Sequence, residues 1–497
     1  MPDLLAQPAN SGKSLPPNPN VITAVLAFAG IVIAATQTLV IPIVPKLPTL
    51  LHASASDATW AVTATLLAAS VATPIAGRLG DMYGKRRMLV LSTALLLAGS
   101  VLCAVSDSLP PMVVGRALQG LSAGVVPLGL SLMRDELPAE KLTTATAVMS
   151  ASIGVGAALG LPLAAVIADN FDWHALFWTS FSLGAIGLAL VLLVVPESEV
   201  RTGGRFDLVG GAGLAAGLVC LMLAISKGGD WEWSSSTTLG LFTTAVVVLA
   251  LWGLFELRVS QPLVDLRTTA RRQVLLTNIA SITFGFSMFA TSLVMPQLLQ
   301  MPTQTGYGLG RSMLTAGLVL APQGLMLILI ASASAAITKT RGPKTTLMIG
   351  AVIVACGYGL SLVMMSEVWQ LIVISCIIGA GIGFAYGAMP ALIMDAVDTS
   401  DTAAANSLNT LMRAIGSSVA SAVAGVVLTG MTTDFVGQAL PSENGFKLVM
   451  AIGGAAALVS LAVAAFIPRR SQPITVEPTR HSITGSAVPM NGTVPKT

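Results

Sequence analysis

The sequence predicts an all-α polytopic membrane protein with fourteen transmembrane helices. Three observations lead there. Hydrophobic residues make up 54% of the 497-residue chain and charged residues only 10%, where a soluble domain carries about a quarter charged. The apolar residues fall in runs of about 20, the length that crosses a hydrocarbon core. Lysine and arginine gather in every second interval between those runs, as the positive-inside rule requires of a chain that threads back and forth.

In chain order the runs cover 22–44, 57–77, 88–106, 111–133, 143–168, 174–195, 207–226, 237–257, 274–298, 312–337, 346–365, 369–393, 403–430 and 446–467. Runs of this length satisfy their backbone groups internally as helices, whereas barrel strands are shorter and alternate in polarity. The first twenty residues hold Pro, Asn, Ser and one Lys. With no cationic start ahead of a short apolar core, the first span is expected to stay in the mature chain. Cys103, Cys220, Cys356 and Cys376 all fall inside spans without a C-x-x-C pair, so they read as small buried hydrophobes. His52, His174 and His481 are far apart, and no metal site is expected. His174 lies between aromatic residues in FDWHALFW and reads as an interfacial anchor.

Charge placement sets the orientation. With the N-terminus cytoplasmic, 20 of the 26 Lys and Arg residues lie in cytoplasmic segments, so both termini are expected on the cytoplasmic side of a plasma membrane, a bacterial one by this reading.

An offset of 258–260 residues brings the chain onto itself. YGKRRMLVL (83–91) is similar to RGPKTTLMI (341–349), and a Gly-rich span two helices further on ends each time in an acid, Asp135 in LMRDELP and Asp395 in IMDAVD. Internal repeats of this kind are a transporter signature. They divide the chain into a cytoplasmic N-tail (1–20), a six-helix bundle (21–196), a linker with two additional spans (197–272), a second six-helix bundle (273–468) and a cytoplasmic C-tail (469–497) rich in Pro, Ser and Thr that reads as disordered.

The densest charge cluster is GRLGDMYGKRR (77–87), in the loop expected between spans two and three. Its extension to Leu91 resembles the G-x-L-a-D-r-x-G-r-k-x-x-x-L motif of the major facilitator superfamily through Gly77, Leu79, Asp81, Gly84, Lys85, Arg86 and Leu91, departing at Gly80 and Met82. VVGRALQGLSAG in span four is similar to that family's R-x-x-Q-G-x-g-a element through Arg116, Gln119, Gly120 and Gly124. IGVGAALGLPLAAVIAD in span five resembles its antiporter motif in part: Gly156 and Gly160 match, Leu161 stands at the family's Pro, and Pro162 follows. Together with the fourteen spans, residues 21 to 468 resemble the drug/proton antiporter branch. The resemblance implies a secondary active transporter that exports amphipathic organic compounds by alternating access, with a proton gradient as its energy source, no cofactor, and a monomer as the working unit. Thr36 occupies the position at which such antiporters carry an Asp in span one.

Physical chemistry gives the charged residues roles. Asp81 between Gly77 and Gly84 can accept bonds from a helix N-terminus and a nearby cation, so Gly77, Arg78, Asp81, Gly84, Lys85 and Arg86 are expected to form a gate latch. For the basic residues a purely topogenic role is equally open. The proton-coupling candidates are Asp135, Glu136 and Asp395, the first of them also readable as a helix-end acid paired with Arg78 or Arg134. Ionised side chains inside spans are costly and mark cavities or partners. Arg116 can therefore face a cavity or snorkel outward, and Arg413 can face a cavity or pair with Asp395 or Asp398. Gln37, Arg116, Gln119, Asn278, Phe284, Phe289, Gln297, Gln323, Tyr386, Asn409 and Arg413 are the expected lining of a substrate cavity between the bundles. The partners so implied are a small amphipathic molecule, protons and the lipid bilayer, and no nucleic acid. An enzyme would need clustered catalytic groups at one membrane face, and no Ser-His, Cys-His or paired-carboxylate arrangement stands out. A channel would want symmetric rings of charge or carbonyls. Within transport, an anionic or lipid-like metabolite moved without simple proton antiport is the alternative.

Overall fold

The computed structural model describes residues 18–435 and 438–468. The expectations for most of the N-tail and for the C-tail after residue 468 lie outside the described residues. Fourteen helices among them are long and apolar enough to span a membrane. They are α1 (Pro19–Thr38), α2 (Trp60–Tyr83), α3 (Lys85–Ala104), α4 (Leu109–Glu136), α5 (Ala139–Asn170), α6 (Ala175–Val194) and α7 (Leu208–Lys227). There follow α8 (Ser236–Glu256), α9 (Arg272–Gln300), α10 (Met313–Arg341), α11 (Pro343–Ser361), α12 (Val368–Met394), α13 (Thr402–Gly430) and α14 (Glu443–Ala465). Successive helices run in opposite directions. The face carrying residues 18 and 468 is called the terminal face below.

Local sequence fixes several helix ends. Asn18, Asp207, Ser235, Ser312 and Ser442 cap α1, α7, α8, α10 and α14 by accepting amide hydrogen bonds, which satisfies donors a helix start leaves open. Glu367 and Gln370 make a reciprocal capping box at the start of α12.

Two boundaries differ from the sequence expectation in ways that matter. The first helix stops at Thr38, and Ile41–Lys46 turns as a 3₁₀ segment through Pro42 and Pro45 before a short helix at Leu47–Leu50. Proline has no amide to donate to an α-helix, and with two of them at 42 and 45 the helix ends at Thr38. The second helix continues to Tyr83, so Gly77, Arg78 and Asp81 sit on its last turns rather than in a loop. The connection to α3 is Gly84 alone, at φ +120°, a backbone region that favours glycine. An expectation of helix throughout also missed a two-stranded hairpin between α13 and α14. Its strands β1 (Thr432–Phe435) and β2 (Gln438–Pro441) pair antiparallel, and the Tyr307 hydroxyl donates to the Pro441 carbonyl at 2.5 Å.

Helix pairing repeats. In the first six helices α1 packs on α5 and α6, α3 on α4 and α6, and α2 on α4; in α9–α14 the helices eight places later make the same five pairings. The joins between the halves obey the same rule, since α2 packs on α13 and its counterpart α10 packs on α5. Glycine allows the closest approaches. A Cβ on Gly156 of α5 would lie 2.8 Å from Ala34 Cβ and 3.0 Å from Ala35 N of α1, and one on Gly317 of α10 would lie 3.0 Å from Pro162 N of α5. Small residues bring backbones together in this way where lipid supplies no hydrophobic drive to associate.

The inserted pair lies along the α2–α13 join. Leu214 and Leu218 of α7 share an apolar cluster with Leu408 and Leu411 of α13, with Val71 and Ile75 of α2 packed against it. At the face opposite the termini, Thr63 and Ser226 hydrogen-bond at 3.1 Å, and the Lys227 ammonium stands 5.3 Å from the Trp60 ring centroid. The α8 helix lies outermost, with Val246 67% and Leu251 61% exposed, as suits a surface that contacts lipid.

Replacing Gly156 by Val should overpack the α1–α5 contact at a cost of about 1–3 kcal/mol. The check is size-exclusion chromatography of detergent-solubilised protein after a heating series: the variant is expected to lose its monodisperse peak at a lower temperature than the parent protein.

Candidate functional site

At the terminal face the last turns of α2 meet the first turn of α13. The Asp81 carboxylate, fully buried, accepts the backbone amides of Ala404 at 2.8 Å and Ala403 at 3.3 Å. Those amides belong to the open N-terminal turn of α13, where the helix dipole concentrates positive potential and a carboxylate is favoured. A Cβ on Gly77, one turn back, would lie 2.7 Å from both the Ala403 carbonyl and Ser407 Cβ. Glycine there lets the helices touch at backbone distance, so that Asp81 reaches α13.

Lys85 closes the site from below. Its side chain is fully buried, with Nζ 2.5 Å from Asp135 Oδ2 and 3.7 Å from Asp81 Oδ1. Asp135 also accepts a short hydrogen bond from Ser198 Oγ, and its Oδ1 has no partner among the described residues. An ammonium at the start of α3 opposes that helix's own dipole. Two carboxylates hold it there, and it in turn neutralises charge that burial makes expensive. Asp135 is thus paired with Lys85, not with Arg78 or Arg134.

Those two arginines instead cross to the other half. Arg78 Nη1 is 3.5 Å from Asp401 Oδ1. Arg134 donates to Thr402 Oγ1 at 2.5 Å, to the Val397 carbonyl at 3.0 Å and to the Asp398 carbonyl at 3.4 Å. On the far side of the join, Lys339 of α10 donates to the Glu140 carbonyl of α5 at 2.6 Å. Arg86 stays within its own half, donating to the Leu192 carbonyl at 2.6 Å, while Glu136 is half-buried and Asp395, at the end of α12, is exposed.

The residues expected to line a cavity separate into groups. Arg116 is 2% exposed, donating from Nε to the Ala61 carbonyl at 2.9 Å and from Nη1 to Gln119 Oε1 at 2.7 Å; Gln119 passes the chain on to Ser100 Oγ at 2.9 Å. Their polar atoms are spent joining α2, α3 and α4 inside one half, which corrects the expectation that they face the space between bundles. Phe284 is fully buried in the apolar core of the second half and is likewise a packing residue. Phe289 is half-buried and Gln37 exposed. Gln297 borders a hollow of about 460 Å³ between α9, α13 and the hairpin.

A third group comes together in the second half. Asn409 Nδ2 donates to Asn278 Oδ1 at 2.9 Å and to Ser281 Oγ at 2.7 Å. Arg413, one turn deeper, lays its guanidinium 4.8 Å from the Tyr386 ring centroid and donates to Thr410 Oγ1 at 3.1 Å. Its Nη1 and the Asn278 Nδ2 are buried without a hydrogen-bond partner among the described residues. Neither Asp395 nor Asp398 pairs with it, contrary to that alternative. Gln323 is buried on α10, its backbone in contact range of Gly379. In α5, Gly156 and Gly160 face α1 and Pro162 faces α10. At the opposite face His174 donates its backbone amide to Asp172 at 2.9 Å, a bond that holds the Asp172 carboxyl below the usual carboxylate range.

Sequence reasoning missed Asp401, Ser198 and the amides of Ala403 and Ala404. A signal existed: DTSDT at 398–402 is the cap-rich composition that starts a helix, and a helix start is an anion site.

A family model described as Major Facilitator Superfamily matches residues 26–421. The chain belongs to the major facilitator superfamily. Among relatives of this superfamily member, Multidrug resistance protein 3 of Bacillus subtilis is 27% identical over 395 residues, covering 78% of this chain and 75% of that protein. The Probable multidrug resistance protein EmrY of Escherichia coli is 31% identical over 316 residues, 62% of this chain and 60% of the relative, and the match thus spans less than two thirds of its length. The Tetracenomycin C resistance and export protein of Streptomyces glaucescens is 27% identical over 343 residues, 68% and 63% of the two chains. The crystal structure of the human organic anion transporter MFSD10 (TETRAN) superimposes with a TM-score of 0.63 at 14% identity, covering 90% of this chain and all of that one. At that identity it speaks for the shared fold.

Replacing Lys85 by Met would leave two buried carboxylates without their cation, at a cost of about 3–5 kcal/mol. In a double-mutant cycle read by thermal unfolding in detergent, adding Asp135→Asn to Lys85→Met is expected to restore part of the loss. Strict additivity of the two changes would show that the ammonium and the Asp135 carboxylate do not interact.

Proposed function

We propose that this transporter is a secondary active exporter of small amphipathic organic compounds, working by alternating access and driven by proton antiport. The observation that carries the reading is the Asp81 carboxylate bonded across the join to the Ala403 and Ala404 amides. That bond exists only while the halves meet at the terminal face. Breaking it biases the molecule toward the state open on that face by whatever the contact contributes, about 1–3 kcal/mol. The names of relatives, multidrug resistance and tetracenomycin C resistance and export among them, support drug-like cargo. The placement of 20 of the 26 Lys and Arg residues on one side supports a cytoplasmic terminal face in a bacterial plasma membrane. The protein works as a monomer, the repeat supplying both halves of the gate.

Proton coupling is assigned to the cluster of Asp81, Lys85 and Asp135. A proton arriving on Asp135 would cancel one of the two charges that hold Lys85, leaving the ammonium to Asp81 and weakening that carboxylate's bond to α13. Chemistry at the membrane edge would thereby reach the gate through one side chain.

A specific observation favours a second reading of the cargo. Arg413 lies within a span, its Nη1 has no hydrogen-bond partner among the described residues, and a cation so placed attracts an anionic group. An anionic amphiphile is the compound class that would use it.

The test is flux in proteoliposomes under an imposed pH gradient, comparing cationic, neutral and anionic amphiphilic dyes. Gradient-dependent flux is expected, and flux indifferent to the gradient removes antiport. Asp81→Asn is expected to lower turnover several-fold with little change in KM. Arg413→Ala should selectively weaken transport of the anionic dye if the second reading holds, and leave all three dyes alike if it does not.

A further inference from the structure

The two inserted helices carry a pair of acids that the cycle above does not use. Asp207 caps α7, its Oδ1 accepting the Gly210 amide at 2.8 Å. Glu256 ends α8 and is 2% exposed. Its Oε1 accepts the Val264 amide at 2.8 Å, which pins the connector between α8 and α9 back onto the helix end. The remaining oxygen of each group, Asp207 Oδ2 and Glu256 Oε2, is buried and receives no hydrogen bond from any described residue. Both abut the same residue: a Cβ on Gly210 would lie 2.7 Å from Glu256 Oε2 and closer still to Asp207 Oδ2.

The cations nearby are engaged elsewhere or face water. Arg78 of α2 pairs with Asp401 of α13. In the connector, Arg267 donates to the Leu257 carbonyl at 3.2 Å, Asp265 caps the short helix Leu266–Thr269, and Arg258 is exposed. Arg205 of the linker is exposed. Two buried carboxylates that crowd one glycine, with no cation between them among the described residues, repel each other when both are ionised. One proton resolves the conflict, because a carboxyl O–H donated to the facing carboxylate satisfies both lone oxygens at once.

We propose that Asp207 and Glu256 hold one proton between them, and that this proton site fastens the α8–α9 connector to the gate. The connector, with Arg78, Asp401 and Leu408, borders a hollow of about 510 Å³ on the terminal face that Glu256 also lines. Deprotonation passes the proton to water in that hollow and leaves two like charges against Gly210. The ends of α7 and α8 then repel, the Glu256 grip on Val264 loosens, and the cover over the α2–α13 join relaxes. The site stands on its own geometry and does not require that proton antiport drive transport.

Infrared difference spectroscopy of the full-length protein in lipid nanodiscs tests it. A protonated-carboxyl stretching band, isolated by subtracting each variant's spectrum from that of the parent protein so that Asp81 and Asp135 cancel, is expected at neutral pH, lost on alkalinisation, and absent from both Glu256→Gln and Asp207→Asn. A second readout is hydrogen exchange of the connector amides, corrected for intrinsic rates. In the parent protein exchange should rise roughly tenfold or more across the same pH interval, the change that one pKa unit of linkage carries. Glu256→Gln, whose amide donates to Asp207 at every pH, should stay slow throughout. Persistence of the band in both variants, a band that tracks sodium concentration instead of pH, or the same exchange profile in the parent protein and Glu256→Gln would overturn the proposal. Flux separates it from antiport: gradient-independent flux with the band intact removes antiport alone, and gradient-driven flux without the band removes this site alone.

Discussion

A carboxylate from one half of the molecule occupies the open N-terminus of a helix from the other, and the arrangement of the terminal face follows from that. Asp81 accepts the Ala403 and Ala404 amides, so α13 has its first donors satisfied by α2 rather than by its own cap. Everything nearby serves this contact. Gly77 brings the backbones together, Gly84 turns the chain at once so that Lys85 falls back beside Asp81, and Asp135 and Ser198 hold Lys85 in place. Arg78 and Arg134 add charged and carbonyl bonds on either side. A buried ion cluster gives weak net stability. In the proposed cycle its use is conditional stability, present in one arrangement of the halves and absent from another.

The repeat shows what the proposed gate would work against. Because α2 with α13 and α10 with α5 are equivalent joins, the halves are held along two parallel lines, each built on close glycine contacts. Among the described residues, only the first carries a buried carboxylate at its end. On the second, Lys339 reaches a backbone carbonyl at the surface, a contact that water replaces at little cost. Asymmetry between equivalent joins is what an electrostatic lock on a symmetric frame requires, and the α7–α8 insertion lies over the locked side.

Much of this is legible in the sequence. Fourteen apolar runs and the weak repeat gave the architecture, because span length and backbone satisfaction leave a chain in lipid few choices. The charged cluster at 77–87 was legible as important, and Asp81 as the acid that seeks a helix N-terminus. What the sequence hid were facts of three-dimensional adjacency. Nothing in the spacing reveals that Asp135 meets Lys85 rather than an arginine, or that Arg116 finds the Ala61 carbonyl and Gln119 within its own half. The α2 extension to Tyr83 is not legible in the sequence because charge marks a membrane edge, and a helix can run on past that edge. The hairpin after α13 escaped because TTDF and QALP are too short to carry a strand pattern.

In the proposed cycle the halves part at the terminal face, with Asp81 holding them together between turnovers. The most direct measurement joins them there. Cys substitutions at Arg78 and Asp401, in a background with Cys103, Cys220, Cys356 and Cys376 replaced by alanine, allow a short reducible cross-linker to bridge α2 to the start of α13. Substrate flux should stop on cross-linking and return on reduction. Undiminished flux through protein shown by mass spectrometry to be fully bridged would mean that this face does not open, and that Asp81 caps a helix and does nothing more.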